Sequence, residues 1–254
     1  MKLFLSYTSD RKHLPLKKIK YELESFAYFK SWQIPYLKVW DDFILDSGAF
    51  TFLQSHKDRH VSFDNYLQRY IDFIIANRVK HFFELDIDRI VGYRKVKEMR
   101  AKLEQQTGLA CIPVWHKSRG IPEWKNLTSQ YQCVAIGGFA IKEIKKKEYD
   151  VINPLIEIAH KNGCKVHGLG FTQSCRLENY DFDSVDSTSW KSGGRFGQIH
   201  NFDGRAIIQT KLPKGNDIHW SKIDTHNLLE WIKYQKYMEN VKPQNGQLIL
   251  EGFY

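Results

Sequence analysis

The feature that most constrains the fold of this chain is a repeated alternation of short apolar runs with longer amphipathic segments. Runs rich in β-branched and aromatic side chains predict strands at residues 3–7, 43–46, 81–86, 110–116, 132–137, 165–170 and 184–187. Apolar residues at helical spacing predict helices at residues 16–29, 63–79, 94–106, 141–161 and 224–238. Because parallel strands need a crossover between them, this alternation predicts a parallel sheet.

The number of strand–helix units favours one architecture. Seven units fit into the 254 residues, and an eighth strand is expected around residues 206–210. This count and length favour an α/β fold with a single (β/α)8 TIM-like barrel over an open doubly wound sheet. The chain has neither a Gly-x-Gly-x-x-Gly motif after its first strand nor a Walker motif, which argues against a nucleotide-cofactor fold. We expect one domain over residues 1–254, with its catalytic core at about residues 40–190 and a short C-terminal elaboration.

Composition narrows the class of protein. Hydrophobic residues make up 42% of the chain and charged residues 26%, which is typical of a globular protein. The formal net charge of +9 favours a polyanionic partner, nucleic acid before membrane. The four cysteines are scattered without a Cys-x-x-Cys pair, so no zinc site or disulfide framework is predicted. The first residues become polar too early for a signal peptide, and no run approaches the roughly 20 apolar residues of a membrane span, so a cytoplasmic location is expected.

Polar residues gather where the predicted strands end. In a parallel barrel the C-terminal strand ends and their loops form the active site. Three of these segments carry acids: Asp46 beside Ser47, Asp86 with Asp88 just beyond, and the pair Asp183 and Asp186. Two other strand ends carry Trp115 with His116, and the pair Gly137 and Gly138.

Carboxylates that meet at one mouth allow two kinds of chemistry. They repel each other, which raises the pKa of at least one of them. One carboxylate can then stay ionised while another carries a proton, as retaining glycosyl chemistry requires. The alternative is a divalent metal site of a barrel hydrolase, built from Asp46, Asp86 and His116. The residues alone leave both open, although no His-x-His or His-Glu-x-x-His spacing is present. A third possibility is a nucleic-acid-binding subunit without catalysis.

Four segments resemble motifs of the tRNA-guanine transglycosylases. FILDSGAF is similar to their DSGGF motif with Ala49 in place of a glycine, AIGGFA to their GGLA-type motif, HGLGF to their MGVG strand, and FDSVDS to their DMFDC or DMFDS segment. The four occur in the same order, over roughly residues 40–190. The zinc site that those tRNA enzymes carry after the barrel is missing. In this respect the chain is more similar to the zinc-less 7-deazaguanine DNA transglycosylases of bacterial DNA-modification clusters and phages.

The resemblance implies which residues carry the reaction. Asp46 matches the general acid/base, and Ser47 matches a serine that contacts the substrate. In the favoured alignment of this segment with the family motif, Asp186 matches the nucleophile. A shifted alignment would make Asp183 the nucleophile instead.

The resemblance also implies how the base is bound. Asp86 matches the aspartate that recognises the base, with Asp88 as the alternative. Trp115 lies where the family has a glutamine that contacts the base, which suggests stacking. Gly137 and Gly138 would offer backbone amides to the carbonyl of the base.

Together these matches imply replacement of guanine in DNA by a free 7-deazaguanine base of the preQ0 type, through a covalent aspartyl-glycosyl intermediate. Neither a metal nor another cofactor would be needed. The alternative substrate is tRNA, and a partner protein is a further possibility. Some of the excess basic side chains would contact the phosphate backbone, and the candidates are Lys117, Arg119, Lys191 and Arg195.

Overall fold

The computed structural model describes residues 1–6, 8–48, 51, 62–171, 177–213 and 218–241, without the side chains of residues 194 and 195. Position 7 of the first predicted strand and Cys175 lie outside these residues. Eight strands belong to one parallel sheet: β1 Lys2–Ser6, β2 Tyr21–Ser25, β3 Asp42–Asp46, β4 His81–Phe82, β5 Val114–Trp115, β6 Cys133–Ile136, β7 Lys165–Gly168 and β8 Ser184–Ser187. A two-stranded antiparallel sheet contains β9 Gln198–Phe202 and β10 Ile207–Lys211.

The helices follow the strands. They are α1 Phe63–Asn77, α2 Asp88–Val91, α3 Tyr93–Thr107, α4 Gly120–Gln130, α5 Ile152–Lys161, α6 Ser192–Phe196 and α7 Trp220–Asn240. Short 3-10 helices lie at Leu16–Lys18, Ser31–Lys38, Lys117–Arg119, Lys146–Val151, Leu177–Asn179 and Ser189–Lys191. No helix in the described ranges combines the length and the apolar character needed to cross a bilayer.

The eight-stranded sheet curls into a barrel. Its strand order is β4-β3-β2-β1-β8-β7-β6-β5, and every neighbouring pair is parallel. An isolated parallel bridge between Phe83 and Ile112 links the chain beyond β4 to the chain before β5, the two edges of the sheet. This architecture confirms the predicted TIM-like (β/α)8 fold.

The predicted helix at residues 16–29 is wrong in its second half, where β2 forms between β1 and β3. The alternating pattern of a strand is hidden here. Tyr21 and Leu23 point into the barrel, but the opposite face carries Glu22 and Glu24, both fully buried. Acidic residues on a buried face resemble the polar side of a helix when only the sequence is read.

The strand expected around residues 206–210 forms, but not in the barrel. It is β10, which pairs antiparallel with β9, and the eighth barrel strand is β2 instead. A tight turn that includes Gly204, where φ is +101°, joins β9 to β10, so the two strands form a hairpin. The sequence reading also missed α4, which begins with Gly120 and has Pro122 in its first turn.

The barrel interior positions the functional end. A buried layer closes the lower part of the barrel and consists of Phe4, Tyr21, Leu23, Ile44, Phe83, Ile112, Val114 and Ala135. Because side chains alternate along a strand, residues two positions beyond these also face inward. On three strands these residues are Ser6, Asp46 and His116. They begin the mouth, by which we mean the end of the barrel where the strands finish.

Candidate active site at the barrel mouth

Asp46 is the last residue of β3 and points into the mouth. It follows the inward-facing Ile44 by two positions. Its Oδ2 accepts a hydrogen bond of 3.0 Å from the amide of Gly48. Gly48 has φ of +78°, and a Cβ atom at this position would lie 2.6 Å from Cβ of Ala27. The turn that holds the carboxyl group therefore requires glycine at position 48.

The surroundings of Asp46 alter its protonation. Burial raises the pKa of Asp46 to about 7, against the effect of the Gly48 amide, and the charges of Asp186 and Asp86 add to the rise. A carboxyl group with this pKa can donate and accept a proton near neutral pH.

Asp186 lies on β8 and faces the same interior. Its register partner on β1 is the inward-facing Phe4. Oδ1 accepts hydrogen bonds from the Gly170 amide at 2.5 Å and from His167 Nε2 at 3.3 Å. Oδ2 accepts one from Ser6 Oγ at 3.2 Å. Three donors fix the carboxylate in one orientation.

Asp183 lies at the other end of β8. Its carboxylate accepts from His160 Nε2 at 2.9 Å and from the Val166 amide at 2.8 Å. Asp183 precedes the strand, so it is at the bottom of the barrel rather than the mouth. The alignment that would make Asp183 the nucleophile is therefore wrong. Asp186 is the acid of this segment that reaches the mouth.

Asp86 follows β4 and is held by His116, which follows β5. His116 Nε2 lies 2.7 Å from Asp86 Oδ2, and its Nδ1 lies 3.2 Å from Glu143 Oε2. Burial alone would lower the pKa of His116, but the hydrogen bonds with the two carboxylates prevail and raise it to about 9. The same contact with His116 lowers the pKa of Glu143 well below its ordinary value. Both ring nitrogens are thus donors, and the imidazolium partly neutralises Asp86.

Arg119 is the second cation of this cluster. Its guanidinium lies 2.9 Å from Glu84 Oε1, 3.2 Å from Asp86 Oδ1 and 3.1 Å from Asp88 Oδ2. It also stacks on Tyr93, with 4.2 Å between the guanidinium carbon and the ring centre. The side chain is only 2% exposed. The expected contact of Arg119 with a phosphate backbone is therefore wrong, because its donors are engaged with these three carboxylates.

The geometry also bears on the metal alternative. One ligand atom each from Asp86, Asp88 and His116 lie within 4.8 Å of one another, close enough for a shared cation. Asp46, which the alternative required, is not in this group. Arg119 already pairs with both aspartates, and His116 donates to Asp86. A second cation would have to displace these contacts, so the donor set fits a metal poorly.

Two predicted base contacts need correction. Trp115 points outward and is 3% exposed, with its Nε1 donating to Gly120 O at 2.9 Å and its ring against Trp124. It cannot stack on a base at the mouth, because side chains alternate along β5 and its neighbours face inward instead.

The Gly137 amide donates to Trp115 O at 2.9 Å, and a Cβ on Gly137 would lie 3.0 Å from His116 Cε1. Gly137 makes room for His116. The Gly138 amide forms no hydrogen bond within the described residues and stays a candidate.

The structure leaves the predicted contacts of Ser47 with the base and of the remaining basic side chains with phosphates untested. Ser47 is fully buried, and its carbonyl accepts from Tyr66 at 2.6 Å, so contact with a base stays a prediction. Lys117 pairs with Glu148, and Lys191 lies 2.8 Å from Asp10. The Arg195 side chain lies outside the described part of the chain. The proposed phosphate contacts of both lysines stay predictions as well.

The sequence reading missed three groups that hold Asp186. They are Ser6, His167 and the Gly170 amide. The segment HGLGF was recognised as a motif, but its histidine was not assigned a role. Its inward position in the period-two pattern of β7 is the signal that could have identified it.

Neither the family models nor the curated proteins include a match to this chain.

Proposed function

We propose that this chain is a base-exchange transglycosylase that replaces guanine in DNA with a free 7-deazaguanine base of the preQ0 type. The observation that carries the proposal is the pair of inward-facing acids at the mouth. Asp186 is held by three hydrogen-bond donors, and Asp46 has a pKa of about 7. One acid suits a nucleophile and the other a proton carrier.

The first half-reaction forms a covalent intermediate. An oxygen of Asp186 attacks C1′ of the target deoxyguanosine, and the bond from C1′ to N9 breaks. The electron pair of that bond goes to the guanine, which takes the proton of Asp46. This leaves a glycosyl ester on Asp186 and an ionised Asp46.

The second half-reaction reverses these steps with a new base. Guanine leaves, and a 7-deazaguanine enters the emptied pocket. Asp46 takes the proton from N9 of the incoming base as this nitrogen attacks C1′. The ester bond to Asp186 breaks, and its electron pair returns to the carboxylate. Two displacements at C1′ retain the configuration of the sugar.

Asp86 is the group proposed to recognise the base. His116 and Arg119 hold it in place at the mouth. An ionised carboxylate accepts hydrogen bonds only, so it selects a base edge that presents N–H donors, as guanine and its 7-deaza analogues do. The Gly138 amide is the candidate donor to the carbonyl of the base.

The nucleic-acid partner is inferred from charge. The net charge of +9 favours a polyanion, and the target base would leave the stack to reach the buried acids. DNA is preferred because the chain lacks the zinc element of the tRNA enzymes that it resembles. A tRNA substrate is the rival.

The test follows labelled guanine or preQ0 into DNA and, in parallel, into tRNA. We expect label in DNA with the wild-type chain and its loss with Asp186→Asn and Asp46→Asn. Asp183→Asn is the matched control, because it removes an equivalent carboxylate at the opposite end of β8 and should exchange the base normally. Incorporation into tRNA alone would change the substrate. Absence of label from both polymers, or full activity of Asp186→Asn, would overturn the proposal.

A further inference from the structure

His167 is a buried histidine next to the proposed nucleophile. It lies on β7 and is fully buried. Its ring centre is 5.3 Å from that of Phe83 and 6.0 Å from that of Phe4. The two half-reactions described above do not need His167 as an acid or a base, so its conspicuous position requires another explanation.

Both nitrogens of His167 have polar partners. Nε2 lies 3.3 Å from Asp186 Oδ1, and Nδ1 lies 2.8 Å from Ser184 Oγ. An ionised carboxylate can only accept, so the hydrogen of this contact is on Nε2. The Ser184 hydroxyl can then donate to Nδ1, which fixes the tautomer. The three side chains form a chain of hydrogen bonds from Ser184 through His167 to Asp186.

The hydrogen bonds make the two oxygens of Asp186 unequal. Oδ1 accepts from two donors, the Gly170 amide at 2.5 Å and His167. Oδ2 accepts only the 3.2 Å contact from Ser6 within the described residues. Oδ2 therefore retains more free electron density than Oδ1, which is anchored on the side of β7.

We infer that His167 is a positioning residue that anchors Oδ1 so that Oδ2 attacks C1′, and that Ser184 sets its tautomer. This inference rests on the proposed function for the attack, whereas the contact itself does not. During the attack the bond from Oδ2 to C1′ forms and the bond from C1′ to N9 breaks, with the proton supplied by Asp46. Oδ1 becomes the ester carbonyl oxygen, and His167 keeps its hydrogen throughout.

The kinetic test compares two substitutions. His167→Leu removes the donor, whereas the side-chain amide of His167→Gln can place an N–H near the position of Nε2. We expect His167→Leu to lower kcat about 100-fold, as a loss of nucleophile alignment does, with KM for the free base unchanged. His167→Gln should recover most of kcat.

The matched control is another fully buried histidine, His200 on β9, which accepts from Trp231 Nε1 at 2.9 Å outside the barrel. His200→Gln should keep kcat even where it lowers Tm. Equal kcat for His167→Leu and the wild type, or equal losses for His167→Leu and His167→Gln in folded protein, would overturn the positioning role.

A second measurement does not depend on activity. The ¹⁵N NMR signals of the His167 side chain, assigned by their loss in His167→Gln, should show the hydrogen on Nε2 and no hydrogen on Nδ1. Both Ser184→Ala and Asp186→Asn should change them. If the wild type exchanges no base but these signals are found, the proposed function is wrong. The hydrogen bond from His167 to Asp186 is then still supported. A hydrogen on Nδ1 alone would overturn the inference whatever the activity.

Discussion

Asp46 at the end of β3 and Asp186 on β8 face the same barrel interior, close enough for the charge of one to raise the pKa of the other. The two acids are 140 positions apart in the sequence. Their environments differ, because Asp186 accepts hydrogen bonds from three donors, whereas burial raises the pKa of Asp46 against the opposing effects of the Gly48 amide and the Ser25 side chain. This difference separates their roles and yields direct tests.

The first prediction concerns the coupling of the two acids. Asp186→Asn removes a negative charge near Asp46, so the pKa of Asp46 should fall from about 7 toward its ordinary value. Titration of the Asp46 carboxyl carbon by ¹³C NMR measures the change. The control Asp183→Asn, at the bottom of the barrel, should leave the titration unchanged. An Asp46 titration that is the same in wild type and Asp186→Asn would contradict the arrangement.

The second prediction concerns the pH dependence of the first half-reaction. Asp46 must be protonated to give its proton to the departing guanine, and its pKa is about 7. The rate of formation of the covalent adduct should therefore fall as pH rises through this value, about tenfold per pH unit on the alkaline side. Single-turnover trapping of the protein–DNA adduct provides the rate. A rate that rises with pH across the same range would assign Asp46 a different role.

The third prediction concerns the buried cation Arg119. Arg119→Leu leaves Glu84, Asp86 and Asp88 without their shared partner in a site where the guanidinium is only 2% exposed. Loss of one partner of a buried ion pair costs roughly 3–5 kcal/mol, so the free energy of unfolding should drop by about this amount. Urea denaturation measures it. Arg94→Leu is the control, since Arg94 is 93% exposed and 3.9 Å from Glu98, and it should leave stability unchanged.

The fourth prediction concerns two buried acids on the outward face of β2. Glu22 and Glu24 are fully buried, and each accepts a 2.7 Å contact from the Thr8 hydroxyl, which has only one hydrogen to donate. Burial raises the pKa of both, and the charge of Glu24 adds to the rise at Glu22, so folding favours the protonated forms. Their contribution to stability is greatest below the unfolded pKa, near the ordinary value of 4.5, and is lost as pH rises through the folded values.

Glu22→Gln should therefore reduce the loss of stability between mildly acidic and alkaline pH. Urea midpoints at the two pH values test this. Glu98→Gln on the surface is the matched control, because Glu98 is 57% exposed. This variant should lose as much stability between the two pH values as the wild type does. The explanation fails if Glu22→Gln loses as much stability as the wild type.

The fifth prediction separates base exchange from metal-dependent hydrolysis. Because Arg119 and His116 already neutralise the acids near Asp88, base exchange should survive treatment with EDTA. A metal-dependent hydrolase would lose its activity and regain it with added Mg²⁺ or Zn²⁺. Stoichiometric binding of such a cation, abolished by Asp88→Asn, would support the hydrolase.

Local patterns in the sequence predicted much of the barrel. The strand Ser184–Ser187 was located to the residue, and α3 at Tyr93–Thr107 to within one residue at each end. Burial in a parallel barrel makes strands apolar, so they stand out from the surrounding helices. The exception is β2, because its buried acids obscure the apolar pattern of a strand. The eighth barrel strand predicted from the sequence therefore lies too late in the chain.

The amino-acid sequence by itself determined the fold class and which strand ends carry acids, because periodicity and residue type are local properties. Only the tertiary structure decided which side chains share the mouth. It turned Trp115 outward, buried Arg119 among carboxylates, and placed His167 against Asp186. These outcomes depend on the facing of each strand and on contacts between residues distant in the chain. No window of neighbouring residues contains that information.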